Sequence, residues 1–131
     1  MTWDALAAAV LGLCPPGTVL GEADAAADLP WLSLSVAVPL ATARSEASTT
    51  ATAVLRARVM VAAATETGAL AVAQDVHDAL DGARPVAAGW VCGPLLQVGS
   101  SLPYQTSAVV LGTDRRTTCV PLSFEATVSR T

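Results

Sequence analysis

The stretch AVLRARVMVAAATETGALAVAQDVHDALDG, residues 53–82, contains two different hydrophobic periods in succession. From about Ala53 to Ala63 the period is two, which predicts a β-strand with Arg56 and Arg58 on the face opposite to the apolar one. The predicted inward residues are Leu55, Ala57, Val59 and Val61. From Thr65, a suitable N-cap, to Leu80 the spacing becomes helical, and Gly82 predicts the helix end. A strand followed at once by an amphipathic helix indicates an α+β fold.

The residues before this stretch predict one helix and one strand. Apolar residues at helical spacing in the first 13 positions predict a short helix that ends at Cys14-Pro15-Pro16-Gly17. Its stripe comprises Trp3, Leu6, Val10 and Leu13. After an acidic connector over residues 18–29, the alternation from Trp31 to Val38 predicts a strand that Pro39 closes. Residues 40–52 are small and polar, so we expect a long hairpin loop that becomes ordered against a neighbouring subunit.

The residues after the central helix predict further strands. Residues 83–104 mix glycine, proline and serine, and only Leu95 to Val98 suggests a brief strand. Gln105 to Leu111 predicts a strand, residues 112–114 a turn, and Arg115 to Arg130 a long final strand. Its predicted inward residues are Val120, Leu122, Phe124, Ala126 and Val128, and Pro121 requires an edge or a bulge. We therefore expect one α+β domain over residues 1–131, in which two helices cover an antiparallel or mixed sheet of four to five strands, in the order α-β-β-α-β-(β)-β.

Composition excludes several classes of function. The chain has seven basic and 11 acidic residues and a pI near 4.6. It therefore has no excess of positive charge with which to bind nucleic acid. Prolines, glycines and charges interrupt every apolar run before it reaches the ~20 residues needed to cross a bilayer, so we expect no membrane partner. Three cysteines and His77 could in principle bind zinc, but no pair has the spacing of a zinc knuckle. We expect neither a metal nor any other cofactor.

The sequence offers little for catalysis. His77 is the single histidine, and no motif surrounds any serine or cysteine as a nucleophile would require. We expect His77 to lie at the boundary of the core with a backbone carbonyl as its partner. The carboxylates of Asp75, Asp78 and Asp81 are expected to face solvent rather than a metal. The chain is therefore not predicted to be an enzyme.

Other residues are candidates for a subunit or partner interface. A hydrophobic fraction of 53% in so small a domain favours oligomerisation. Large aromatic residues and arginines often anchor interfaces. Trp90, between glycine-rich turns, could equally anchor a partner or plug one end of the core. Arg56 and Arg58 could pair with the acidic connector, Glu22, Asp24 and Asp28, of an adjacent copy, or remain a solvated face. The full set of candidates is Trp31, Arg44, Glu46, Arg56, Arg58, Trp90, Arg115 and Arg116.

The order of these elements resembles the tail terminator, or tail completion, proteins of long-tailed bacteriophages of the lambda type. The resemblance rests on the leading helix, Leu29-Pro30-Trp31 at the start of the first strand, the polar loop, the Val54 to Val61 strand, the Glu66 to Leu80 helix and the Thr117 to Ser129 strand. It implies a hexameric ring that caps the tail tube, stops its polymerisation and presents a surface to the head-completion or connector protein. It also implies a virion protein at the head-proximal end of the tail, assembled in the host cytoplasm, with DNA passing through the lumen without specific binding.

Two alternatives remain open at this point. One is a neck or head-closure connector of the same virion. The other is a small cytoplasmic α+β enzyme or ligand-binding domain whose site forms between subunits.

Overall fold

The computed structural model describes residues 3–21, 31–44, 51–99, 102–110 and 113–130. The helices are α1 (Trp3–Leu13) and α2 (Glu66–Leu80). The strands are β1 (Val19–Leu20), β2 (Trp31–Arg44), β3 (Ala51–Ala63), β4 (Trp90–Cys92), β5 (Leu96–Gln97), β6 (Tyr104–Val110) and β7 (Thr113–Arg130). The α+β prediction is confirmed, β5 lies within the brief strand suggested at Leu95 to Val98, and the very short strands β1 and β4 are additions to the predicted order.

All seven strands form one mixed sheet with β7 at its centre. The strand order is β1-β2-β3-β7-β4, and β5 and β6 pair with β7 on the same side as β4. β2, β3 and β7 are antiparallel neighbours, whereas β1 pairs with β2 in parallel. The final strand therefore pairs with four others and connects the two sides of the sheet.

The core lies between the inner face of the sheet and both helices. The inward residues predicted for β3 and β7 are all buried, and they belong to one cluster with Leu6 and Val10 of α1. From α2 the cluster takes Ala69, Ala73, Val76 and Leu80. Each helix and strand exposes its apolar face to water unless it packs against the other elements. Burial of these faces in one shared core therefore stabilises this arrangement.

Both ends of α2 are fixed by local chemistry. The hydroxyl of Thr65 accepts a hydrogen bond from the backbone N–H of Gly68 at 3.0 Å, as the N-cap prediction requires. At the other end Gly82 has a φ of 82°, a left-handed conformation that favours glycine and stops the helix. The helix is therefore confirmed from Glu66 to Leu80.

The β2–β3 hairpin corrects the predicted loop. β2 does not close at Pro39 but continues to Arg44, and β3 begins at Ala51, so residues 40–44 and 51–52 are strand. Pro39 lies where the register shifts, since Ala37 pairs with Arg56 but Leu40 with Val54, which leaves an extra residue on β2. Such a bulge accommodates a proline without the loss of a ladder hydrogen bond. The rest of the predicted loop, residues 45–50, lies outside the described residues.

Pro121 is accommodated at a local edge in the middle of β7. The carbonyl groups of Ser123 and Thr127 accept hydrogen bonds from the segment 93–98, so odd-numbered residues of β7 direct their backbone groups away from β3. On that side, β6 pairs with β7 only up to residue 119 and β5 only from residue 124. Within the described part of the chain no strand fills the interval, and the missing N–H of Pro121 therefore leaves no carbonyl without a donor.

The segment that the sequence left unassigned, residues 83–104, is held by separate backbone hydrogen bonds. Leu95 exchanges two of them with the chain that follows α2, at 2.6 Å to Gly82 and 2.7 Å to Ala83. Its side chain is completely buried. Separate buried side chains, among them Trp90, Cys92 and Leu95, and a few backbone contacts thus hold this segment without the long regular pairing that a sequence pattern could have revealed.

Candidate functional site

The face of the sheet opposite to the helices, here called the outer face, carries the predicted arginines. The strand register places Ala37, Arg56 and Glu125 in one row across β2, β3 and β7. The next row contains Ser35, Arg58 and Ser123. Side chains of directly opposed residues lie on the same face of a sheet, so these six positions form one small polar area.

The two arginines of this area differ in their surroundings. The Nε atom of Arg56 lies 3.1 Å from Oε1 of Glu125, and the side chains are 70% and 37% exposed. The charge of Arg56 is therefore balanced within the subunit, which the sequence did not predict. Arg58 is also exposed, but among the described residues no carboxylate lies within ion-pair distance of it. The acidic connector, Glu22 to Asp28, lies outside the described residues.

A shallow groove of about 590 Å³ crosses the outer face. Its floor includes Ser35, Arg56, Arg58 and Glu125, and Val98 with Gly99 forms one wall. The wall is held in place because the N–H of Val98 donates to the carbonyl of Ser123 at 2.9 Å. A groove with serine hydroxyls and one guanidinium not balanced locally is suited to a carboxylate, since arginine binds that group through two parallel hydrogen bonds.

The aromatic residues near the other end of the outer face have different exposures. Trp31 is half-buried, and the register places it opposite Ala62. Tyr104 is exposed, and its hydroxyl lies 3.6 Å from the sulfur of Met60. Tyr104 was not among the predicted site residues, although an aromatic residue next to an apolar leucine at position 102 was a signal that could have indicated it.

Trp90 belongs to the core. The side chain is 9% exposed and is part of the same buried cluster as Phe124 and Val128. Of the two interpretations that the sequence left open, the structure supports the core plug, because so little of the ring remains for a partner to contact. The prediction of an interface anchor at Trp90 is corrected accordingly.

The remaining predicted interface residues are dispersed. Arg44 is the last residue of β2 and pairs with Ala51, far along the hairpin from Arg58. Arg115 and Arg116 lie in β7 opposite Ala108 and Ser107 of β6, in the strand where the sequence placed them, although β7 begins two residues earlier than predicted, at Thr113. Glu46 lies outside the described residues. The predicted set is therefore not one site, and Arg56 and Arg58 are the pair that the fold brings together.

His77 has a structural role that differs from the predicted one. Its Nδ1 atom lies 2.6 Å from the side-chain oxygen of Gln97, so the partner is an amide side chain and not a backbone carbonyl. The carboxylate of Asp81 accepts the backbone N–H of Gln97 at 3.0 Å and lies 3.9 Å from Nε2 of His77. These contacts attach the end of α2 to β5.

The thiols are poorly suited to chemistry. Burial raises the pKa of Cys14 from 9.0 to about 11 and also raises the pKa of Cys92. Cys14 is further satisfied by the carbonyl of Val10, 3.4 Å from its sulfur. Because the thiolate is the reactive form, neither group is a strong nucleophile at neutral pH. In the part of the chain that the structure describes, no three metal-binding side chains cluster, and neither helix is long and apolar enough to cross a bilayer.

Comparison with solved structures shows a fold similarity over most of the chain. The chain is similar to a chain in the solved structure of a virion of the native gene transfer agent particle, with a TM-score of 0.56 and 23% sequence identity. The similarity covers 96% of this chain and 86% of the other. The two chains share a fold. No family model and no curated protein matches the sequence.

Proposed function

We propose that this chain is a structural protein of a virion. The observation that carries the proposal is the shared fold with a chain of the gene transfer agent virion, which extends over nearly the whole length of both chains. A fold match confined to one motif would be compatible with many functions, whereas this match includes nearly all of the described elements.

Within the virion, we propose the role of a tail terminator. The order of elements that resembles this family is the order observed, from α1 through the long β2–β3 hairpin and α2 to β7. In this role six copies form a ring on the last layer of the tail tube, stop its growth and receive the head-completion protein. The net charge of −4 suits a ring through which DNA must slide, because the subunit has no excess of cations to hold phosphates.

The outer-face groove is proposed as a contact with a neighbouring protein in this assembly. Arg58 is its central residue, since its charge is not balanced by any described carboxylate, and Trp31 lies on the same face. Arg44, Arg115 and Arg116 lie toward the ends of the long strands and are proposed as peripheral contacts. Trp90 is omitted because it is buried.

The experiment that tests the role is deletion of this gene from the genome that encodes the particle. The tails of the resulting particles are then examined by electron microscopy. A terminator is expected to leave tails of irregular, excessive length, because nothing stops tube growth. Tails of normal length that fail to join heads would instead indicate the neck or head-closure role. Normal, infectious particles would contradict any essential role in the virion and would favour the small enzyme or ligand-binding domain.

Native mass spectrometry of the purified protein provides the second test. We expect a species of six subunits, formed by the protein alone at high concentration or on added tail tubes. If only monomers or twofold dimers form under both conditions, the terminator proposal is wrong.

A further inference from the structure

Arg58 lies in the middle of three paired strands. It belongs to β3, and its opposed residues are Ser35 of β2 on one side and Ser123 of β7 on the other. Directly opposed residues of antiparallel strands have Cβ atoms about 4.5–5.5 Å apart. A ligand on the guanidinium group of Arg58 is therefore within reach of a serine hydroxyl on each side, and each hydroxyl can donate a hydrogen bond.

The floor of the groove includes the backbone of the sheet. Ala57 and Phe124 line the groove, although their side chains are buried on the opposite face. Beside them only small side chains, those of Ser35, Ala37 and Ser123, cover the strands. Because neighbouring strands lie about 4.8 Å apart, a groove across three of them accommodates about three or four residues of an extended chain.

The charge of the groove is opposite in sign to the charge of the whole chain. Its charged lining residues are Arg56, Arg58 and Glu125, two cations and one anion. Since Glu125 pairs with Arg56 at 3.1 Å, the excess positive charge lies at Arg58. A single carboxylate is therefore attracted to this position, whereas the net charge of −4 on the whole chain opposes a long polyanion such as nucleic acid.

We infer that the groove binds a short extended segment of a different virion protein, with one Asp or Glu side chain of that segment on Arg58. This inference rests on the proposed contact between the outer face and a neighbouring protein, and it names the chemistry of that partner. Arginine binds a carboxylate through two parallel hydrogen bonds, and the flanking serines can donate to its remaining lone pairs. Small residues next to the acidic one fit between the low floor and the wall formed by Val98 and Gly99.

A second copy of this chain does not offer such a segment among its described residues. Their carboxylates lie on α1, on α2 or at its end, and in β7. A carboxylate on a helix cannot enter the groove as part of an extended chain, and β7 is already paired with β3 and β6. A different protein therefore fits the groove better than another subunit does.

Charge reversal in the particle tests the inference. Arg58→Glu should reduce the number of completed particles about tenfold or more, because the carboxylate of the partner then meets a like charge. Arg84→Glu is the matched control and should give normal particles, since Arg84 is also exposed but does not line the groove. Normal particle numbers from Arg58→Glu would overturn the contact.

Selection for restored particles from Arg58→Glu identifies the partner. We expect second-site changes of Asp or Glu to Lys or Arg in a different virion gene, because such a change restores an attractive charge pair with its signs exchanged. Compensating changes found within this gene alone would show that the occupant is another copy of this chain, and would overturn the assignment to a different protein.

Titration of the isolated protein with short peptides tests the chemistry of the groove. The probes are acetyl-Ala-Glu-Ala-Ala-amide and the same peptide with Gln in place of Glu, and the readout is the backbone amide NMR signals of Ser35, Arg58 and Ser123. Only the acidic peptide should shift these signals saturably. Arg58→Lys should bind it about threefold or more weakly, because an ammonium group lacks the second parallel hydrogen bond. Equal shifts with both peptides, or tighter binding of inorganic phosphate, would overturn the carboxylate site.

The outcomes separate this inference from the proposed function. If thermal unfolding shows that Arg58→Glu does not fold, Arg58→Gln replaces it and should still reduce the number of completed particles. Long tails after gene deletion, together with normal particle numbers from the Arg58 variants, contradict the inference but not the terminator role. Tails of normal length after gene deletion, together with an Arg58→Glu defect that an acidic-to-basic change elsewhere corrects, support the contact and contradict the terminator role.

Discussion

Arg56 and Glu125 lie directly opposite each other on β3 and β7, with 3.1 Å between Nε and Oε1. The cross-strand ion pair separates the functions of two arginines that look equivalent in the sequence. Arg56 is engaged within its own subunit, and Arg58, one row away and opposite Ser123, is not. The distinction leads to a specific expectation for each residue.

Replacement of both arginines, Arg56→Ala with Arg58→Ala, should leave the subunit folded but weaken ring formation or tail completion. Both side chains are exposed, so the free energy of unfolding should change by less than ~1 kcal/mol. Of the single variants, Arg58→Ala should account for most of the loss of assembly, because Arg56 already forms an ion pair with Glu125 in its own subunit. Arg84→Ala, an exposed arginine away from the outer face, is the control, and completed particles are counted by electron microscopy. Normal tails from the double variant would show that the outer face is merely solvated.

Phe124→Ala should be among the most destabilising substitutions in the chain. Among the side chains whose burial the structure describes, Phe124 is the largest that is fully buried, and it lies on the central strand. Loss of the ring leaves a cavity and costs about 3–5 kcal/mol of unfolding free energy, whereas Phe124→Leu should cost about 1–2 kcal/mol because most of the volume is retained. Urea denaturation followed by circular dichroism measures the difference. Equal effects of the two variants would mean that the core can collapse around the site.

Thr65→Ala should destabilise the protein by about 1 kcal/mol, since it removes the acceptor for the N–H of Gly68 at the start of α2. Thr67→Ala, two residues later within the exposed first turn, removes the same hydroxyl without removing a cap and should have little effect. Chemical denaturation of the three proteins in parallel tests the prediction. If both variants lose the same stability, the cap is not responsible.

Stability should fall between pH 9 and 11 in a way that depends on Cys14. The folded pKa of about 11 exceeds the ordinary value of 9.0, so the folded state holds the thiol proton more tightly than the unfolded chain. The stabilisation is complete below pH 9 and is lost as the pH rises through 11. The measurement is the unfolding free energy against pH for the original protein and for Cys14→Ala. Identical slopes in this window would contradict the assignment, as would rapid alkylation of Cys14 at neutral pH.

Much of the fold could be predicted because its main elements have regular periods. Every residue that the alternation predicted to face inward in β3 and β7 is buried, although Ala53 and Ala63 of β3, which were not predicted, also belong to the core. The helical spacing with Thr65 and Gly82 identified both ends of α2. The extension of β2 beyond Pro39 could not be predicted, because it depends on bulges that appear only when the partner strand is known. The arrangement of residues 83–104 could not be predicted either, because isolated hydrogen bonds and separate buried side chains, such as Trp90 and Leu95, have no sequence period.

The candidate site was only partly predictable for a related reason. The spacing of Arg56 and Arg58 placed both on one face, which is a local property of a strand. The partner of Arg56 is distant in sequence, and only the register between β3 and β7 identifies Glu125. Trp90 shows the opposite case: an aromatic residue in a short segment between Gly89 and Gly93 is compatible with exposure or burial, and the packing of the whole core decides between them.

The central position of β7 has a consequence for the synthesis of the protein. This strand begins at Thr113, yet it is the partner of β3, β4, β5 and β6. A nascent chain on the ribosome therefore cannot complete the sheet until nearly all of the sequence has left the exit tunnel, because pairing so distant in sequence forms late. Products of premature termination would lack the strand with which four others pair. The inward side chains of β3 and α2 would then lose the residues of β7 against which they pack, so such fragments should not fold stably and should be open to proteolysis.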